Sequence, residues 1–91
     1  MNDDKFLQAL AAAYEADRRA LLLRIADAAT AGQAVYTPQT ALEVVFVMQL
    51  ERAEYVTLVP LEVHPEYPDM VVRVGATLTD KGRTYTTELR G

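Results

Sequence analysis

Along the first thirty residues, apolar side chains return at spacings of three, four and seven: Leu7, Leu10, Tyr14, Leu21 and Ile25. Those intervals place them on one face of an α-helix, and the many alanines favour the same state. Asn2 or Asp3 is positioned to cap it, and Asp3 and Asp4 stand where the helix dipole favours carboxylates. The pattern predicts one long helix over residues 3–30, or two joined in line, with Asp17, Arg18 and Arg19 interrupting the stripe. A continuous helix of that span is about 40 Å long at 1.5 Å per residue. Its apolar face would outrun the rest of a 91-residue chain, which makes residues 1–30 a candidate dimerisation arm.

Ala31-Gly32 is expected to end this helix, with Gly32 in a left-handed cap. Thr37 then reads as the N-cap of a second helix, with Pro38 at its first position and Ala53 near its end. Projection around that helix puts Leu42, Val45, Phe46, Leu50 and Ala53 on one side and Val44, Val47 and Met48 on the other. A helix apolar around most of its circumference is either central to a core or covered by another chain. From Tyr55 to Val63 the alternation shifts phase at Pro60, the mark of an edge strand with a bulge. His64-Pro65-Glu66-Tyr67-Pro68-Asp69 reads as a turn, after which Met70, Val72, Val74, Ala76 and Leu78 alternate with Val71, Arg73, Gly75 and Thr77. Thr79 can cap a short last helix to Leu89, weakened by Gly82 and three threonines. The expected fold class is α+β in a single domain over residues 1–91: long helix, second helix, β-hairpin, short C-terminal helix.

Two phrases flank that hairpin. Gln49-Leu50-Glu51-Arg52-Ala53-Glu54-Tyr55-Val56 resembles a winged-helix recognition helix running into its wing, and Leu78-Thr79-Asp80-Lys81-Gly82-Arg83 resembles the stretch after the second wing strand of MarR-like and PadR-like regulators. The resemblance covers residues 37–89 and implies a winged-helix-like frame, the hairpin serving as wing. Three features depart from it. Glu54 stands where the family usually ends the helix with Gly, and no short second helix is evident in the first thirty-six residues. The candidate reader, Gln39 to Met48, also holds no basic residue.

Charge sharpens the departure. The net charge is −4. Residues 1–30 hold four basic and five acidic side chains, residues 31–69 one and six, and residues 70–91 four and two. The deficit thus falls on the reader and the hairpin tip, the elements that would meet phosphate in a DNA-binding winged helix. The chain has no Cys and no Ser, which removes disulfides, Cys-based zinc sites, thiol nucleophiles and Ser-based triads. At this length folding buries about 60–65% of the unfolded chain's surface, so a partner subunit would help. The acidic N-terminus does not match a basic secretory leader, and apolar stretches fall short of the ~20 residues that span a bilayer. A cytoplasmic protein with no membrane association is the expectation.

His64 with Glu62, Glu66 and Asp69 can be drawn as a metal site, but strand alternation sends such neighbours to opposite faces, and a solvated turn is the expected role. Glu51 with Glu54 is a helix-end acidic patch, and isolated Gly75 and Gly82 make no phosphate loop. No catalytic residue, metal site or cofactor is expected. Arg18, Arg19 and Arg24 are expected to pair along the helix with Glu15 and Asp27.

Two functional expectations follow. The first is a non-enzymatic regulatory module that binds protein through Val45, Phe46 and Met48 and through the acidic tip at Glu66, Tyr67 and Asp69. A basic surface on nucleic-acid-handling machinery, of the kind a phage-type or mobile-element inhibitor would meet, suits that tip. The second is a homodimeric DNA-binding transcriptional regulator using Arg73, Lys81, Arg83 and Arg90. In either case Leu7, Leu10, Tyr14, Leu21 and Ile25 are the dimerisation candidates.

Overall fold

The computed structural model describes residues 3–91 as α1 (Asp3–Thr30), α2 (Ala41–Arg52), β1 (Val56–Val63), β2 (Val71–Leu78) and α3 (Asp80–Arg90). The class is α+β, with β1 and β2 forming an antiparallel two-stranded sheet. The long N-terminal helix is one continuous element of 28 residues. Asp3 lies in its first turn rather than capping it, and the alternative cap, Asn2, lies outside the described residues. At the other end Gln33 N–H donates to the Ala28 carbonyl (2.8 Å) and Gly32 N–H to Ala29 (3.2 Å). Gly32 takes φ +97° to make that double bond possible.

α1 has two unlike halves. Leu21, Leu22, Ile25 and Ala26 are buried, whereas residues 3–20 are exposed apart from a half-buried Arg18. The core closes over α1's C-terminal half with Phe46, Val47 and Leu50 of α2, Val56 of β1 and Ala76 of β2. The projecting half accounts for the elongated shape. The radius of gyration is 15.0 Å, against about 12 Å for a compact chain of this length.

Two expectations about α2 are corrected. It starts at Ala41 with Thr40 as N-cap, not at Pro38 with Thr37. Tyr36 exchanges two 2.8 Å backbone bonds with Ala76 of β2. That bridge and the restriction on a residue preceding proline hold the chain extended until Thr40 Oγ1 accepts the Glu43 N–H at 3.1 Å. The buried face is also different: it holds Phe46, Val47 and Leu50, while Leu42, Val45 and Met48 stay exposed.

α2 ends without glycine. Tyr55 N–H donates to Leu50 (2.9 Å) and Glu54 N–H to Glu51 (2.9 Å), the same double closure as in α1. Here Glu54 occupies the left-handed position at φ +66°, which costs an L-residue about 1–2 kcal/mol. Its exposed pair with Lys81, 3.7 Å apart, returns little. Glu54→Gly is therefore expected to stabilise the fold by about 0.5–1 kcal/mol, after the extra chain entropy of glycine is subtracted. A rise in urea midpoint at unchanged slope would show it.

The hairpin runs from Val56↔Leu78 to Val63↔Val71, with the register slipping on both sides of Glu62, next to Pro60 as the phase shift predicts. Its base belongs to the core. Towards the tip, alternation still sets the two faces, and among the described residues only Thr37, Pro38 and Val44 border a shallow groove along Val71 to Val74. Leu61, Val63, Met70, Val71 and Val72 are all exposed.

α3 follows the expected cap, Thr79 Oγ1 accepting the Gly82 N–H at 2.9 Å. It lies against the α2–β1 corner. Tyr85 stacks on Tyr55 with ring centroids 4.5 Å apart, and Arg90 reaches α1 to pair with Asp27 and donate to the Leu23 carbonyl.

Candidate functional site

α1 and α2 meet at Tyr14 and Phe46, whose rings pack edge to face at 6.2 Å. Beside this contact runs a trough made of two adjoining grooves. One, of about 460 Å³, is lined by Ala11, Tyr14, Leu42, Val45 and Phe46 among others. The other, of about 440 Å³, is lined by Arg19, Arg52, Leu22, Tyr55 and Tyr85. Glu15, Arg18 and Gln49 border both. The trough is thus apolar at one end and cationic at the other.

Two of its arginines are held in defined poses. Arg18 donates to the Gln49 side chain at 2.8 Å, and Arg19 pairs with Glu15 one turn back. The Tyr85 hydroxyl first, then Glu15, raises Arg19 above an ordinary guanidinium. The expected pairing of Arg18 with Glu15 and of Arg24 with Asp27 is replaced by longer-range bonds: Arg24 reaches Glu43 of α2 at 3.2 Å, and Asp27 is taken by Arg90. Sequence reading missed the trough because Arg52, Tyr55 and Tyr85 join Arg18 and Arg19 only through packing.

Glu43 organises the opposite side of the α1–α2 contact. Its carboxylate accepts from Tyr36 Oη (2.8 Å), Gln39 N–H (3.1 Å) and Arg24 (3.2 Å). Burial first, and then the Glu43 bond, raises the Tyr36 hydroxyl above its usual 10.0. A group whose pKa is raised by folding stabilises below its unfolded value and loses that contribution as pH climbs through the folded one. Tyr36→Phe should lower stability at neutral pH by about 1.5 kcal/mol, the worth of a hydrogen bond to a charged group. It should also flatten the decline above the ordinary tyrosine range. Urea denaturation at neutral and alkaline pH measures both effects.

The structure separates the protein-binding candidates into two places. Val45 and Met48 are 47% and 45% exposed on the outer face of α2, but Phe46 is 5% exposed and belongs to the core. Glu66, Tyr67 and Asp69 project at the hairpin tip. There Met70 N–H donates to Tyr67 (2.8 Å) and His64 N–H to Met70 (2.8 Å), closing the turn. Tyr67 is 60% exposed, its ring tilted against His64 at 5.1 Å. Glu66 N–H donates to His64 Nδ1 at 3.1 Å, and among the described residues no cluster of histidines and carboxylates is arranged to hold a metal ion.

The dimerisation candidates divide as well. Leu7, Leu10 and Tyr14 are exposed, whereas Leu21 and Ile25 are sealed in the chain's own core and have no surface to offer a partner.

The nucleic-acid candidates do not form one patch. Arg83 and Arg90 border a groove between α1 and α3, Arg73 lies on the hairpin, and Lys81 sits 5.3 Å above the Tyr55 ring. Each has a carboxylate partner: Arg73 with Glu62, Lys81 with Glu54, Arg83 with Asp80 and Arg90 with Asp27. No helix among the described residues is long and apolar enough to cross a membrane. No protein-family model matches the chain, nor does any curated protein or solved structure.

Proposed function

We propose that the chain is a non-enzymatic regulatory module that acts by binding protein, with the outer hairpin as its principal contact. The observation that carries this reading is the run of exposed apolar side chains on the distal half of the hairpin. Leu61, Val63, Tyr67, Met70, Val71 and Val72 are exposed there, with Glu62, Glu66 and Asp69 among them. Apolar side chains with acidic neighbours suit a partner surface that is apolar at its centre and basic around it. Nucleic-acid-handling machinery carries surfaces of that kind, so an inhibitor or adaptor role follows.

The frame we favour is winged-helix-like, on the order of elements and the two phrases flanking the hairpin. Its DNA-reading features are degenerate: the solvent side of α2 holds no base before Arg52, and an extended stretch stands where a further short helix would precede the reader. The internal ion pairs of Arg73, Lys81, Arg83 and Arg90 weigh against the DNA-binding alternative, because each phosphate contact would compete with a carboxylate already in place.

The test replaces Tyr67 with a photoreactive phenylalanine analogue and irradiates intact host cells. The expected adduct is protease-sensitive and nuclease-resistant, and it disappears when Met70→Asp is added. Salt-sensitive retardation of duplex DNA that is lost in Arg73→Ala/Arg83→Ala would overturn the reading in favour of a DNA-binding regulator.

A further inference from the structure

A separate feature, independent of the hairpin, lies on the exposed half of α1. On the face that leads towards the core stand, in order, Asp3, Leu7, Leu10, Ala11, Tyr14 and Arg18. This series is complementary to its own reverse. When two such helices lie antiparallel, crossing between Leu10 and Ala11, Asp3 meets Arg18, Leu7 meets Tyr14 and Leu10 meets Ala11, each pair occurring twice by symmetry. A parallel arrangement would instead set Asp3 on Asp3 and Arg18 on Arg18, and like charges across a contact oppose it.

The trough extends the match to α2. Its apolar end lies beside Ala11 and Tyr14 of α1 and its cationic end beside Arg18, Arg19 and Arg52. A helix that begins Asp3-Asp4 and continues Phe6-Leu7 has the complementary polarity when it runs antiparallel to α1. Phe6 and Leu7, 66% and 58% exposed, are then placed against Tyr14, Leu42 and Val45. The arm also needs support, because residues 3–20 are exposed apart from Arg18, α2 touches only their later turns, and helices of this length are marginal alone in water.

We propose that the exposed half of α1 docks a second copy of this chain, arm against arm in antiparallel register, with each acidic N-terminal turn at the partner's Arg18. The residues argued for this contact include none of the hairpin tip.

The cysteine-free sequence makes the register directly testable on the full chain. Light scattering should return twice the chain mass for the wild type. Ala11→Cys, next to the two-fold axis, should oxidise to a disulfide-linked dimer, whereas Leu7→Cys should not link to itself. Asp3→Arg and Arg18→Asp should each weaken association by about tenfold or more, as loss of an interfacial charge pair predicts. The double variant Asp3→Arg/Arg18→Asp should recover it, which a general folding defect would not allow. A monomeric wild type, self-linkage through Leu7→Cys, or failure of the double variant to recover would each overturn the proposal. Tyr67→Ala should leave the dimer intact, so failure of the hairpin reading and failure of this one are told apart.

Discussion

Gly82→Ala is expected to destabilise the fold by about 3 kcal/mol or more, at the upper end of what overpacking costs. A Cβ built on Gly82 would lie 2.1 Å from the Tyr55 carbonyl oxygen and 2.9 Å from Leu78 Cδ1. The leucine could turn away, but the carbonyl is backbone and also accepts the Thr79 N–H at 3.1 Å. Relief would require α3 to lift off the α2–β1 corner, which would break the bond from the Thr79 hydroxyl to the Glu54 carbonyl and the Tyr55–Tyr85 stack together. Three kcal/mol corresponds to a fall in Tm of roughly 12–24 °C for a domain of this size. Thermal unfolding followed by circular dichroism would measure it. A fall below about 4 °C, the equivalent of less than 1 kcal/mol, would mean that the corner yields more easily than its geometry implies.

Leu22→Ala is the second large effect, at about 2–5 kcal/mol. Leu22 is 0% exposed and belongs to the cluster that joins α1 to α2 and the hairpin base. Its removal leaves a void that Leu21, Ile25 and Leu50, already packed, can fill only in part. Met70→Ala, at a position 52% exposed on the outer hairpin, should change stability by less than about 0.5 kcal/mol. Urea denaturation of the two variants side by side should show the first midpoint falling and the second unmoved.

Much of the local structure was legible in the residues. The 3.6-residue spacing of Leu7 through Ile25 gave α1, Gly32 its end, Pro60 the irregularity in β1 and Thr79 the start of α3. The start of α2 was misplaced at Thr37-Pro38 because two signals compete. Thr37-Pro38 is a good helix opening, and Thr40-Ala41-Leu42-Glu43 has the form of a capping box, a threonine followed three residues later by glutamate. The Tyr36–Ala76 bridge, between residues distant in the chain, decides for the second. The same limit applies to the sites. Leu7 and Leu21 are indistinguishable by periodicity, and what separates them is how far along α1 the other elements reach. Glu62 and Arg73 become a pair once the strand register is known, but nothing along the chain links Arg90 to Asp27 or brings Arg52 beside Arg18. Gly82 read as a weakness in α3 because the group it must clear, the Tyr55 carbonyl, belongs to another element.

The unequal support along α1 has a consequence for amide hydrogen exchange. One uninterrupted ladder of backbone bonds spans 28 residues, yet its two halves open by different routes. Amides from Leu21 to Ala26 lie in or beside the core and exchange when it opens, so their protection reports the global free energy. Those before Arg18 can exchange by unwinding from the N-terminus, at a cost set by a few turns of helix and the Tyr14–Phe46 contact. Protection should therefore step upward near Arg18 in the separated chain. Association of two arms should move that step towards Asp3, turning a single helix into a residue-by-residue gauge of whether its partner is present.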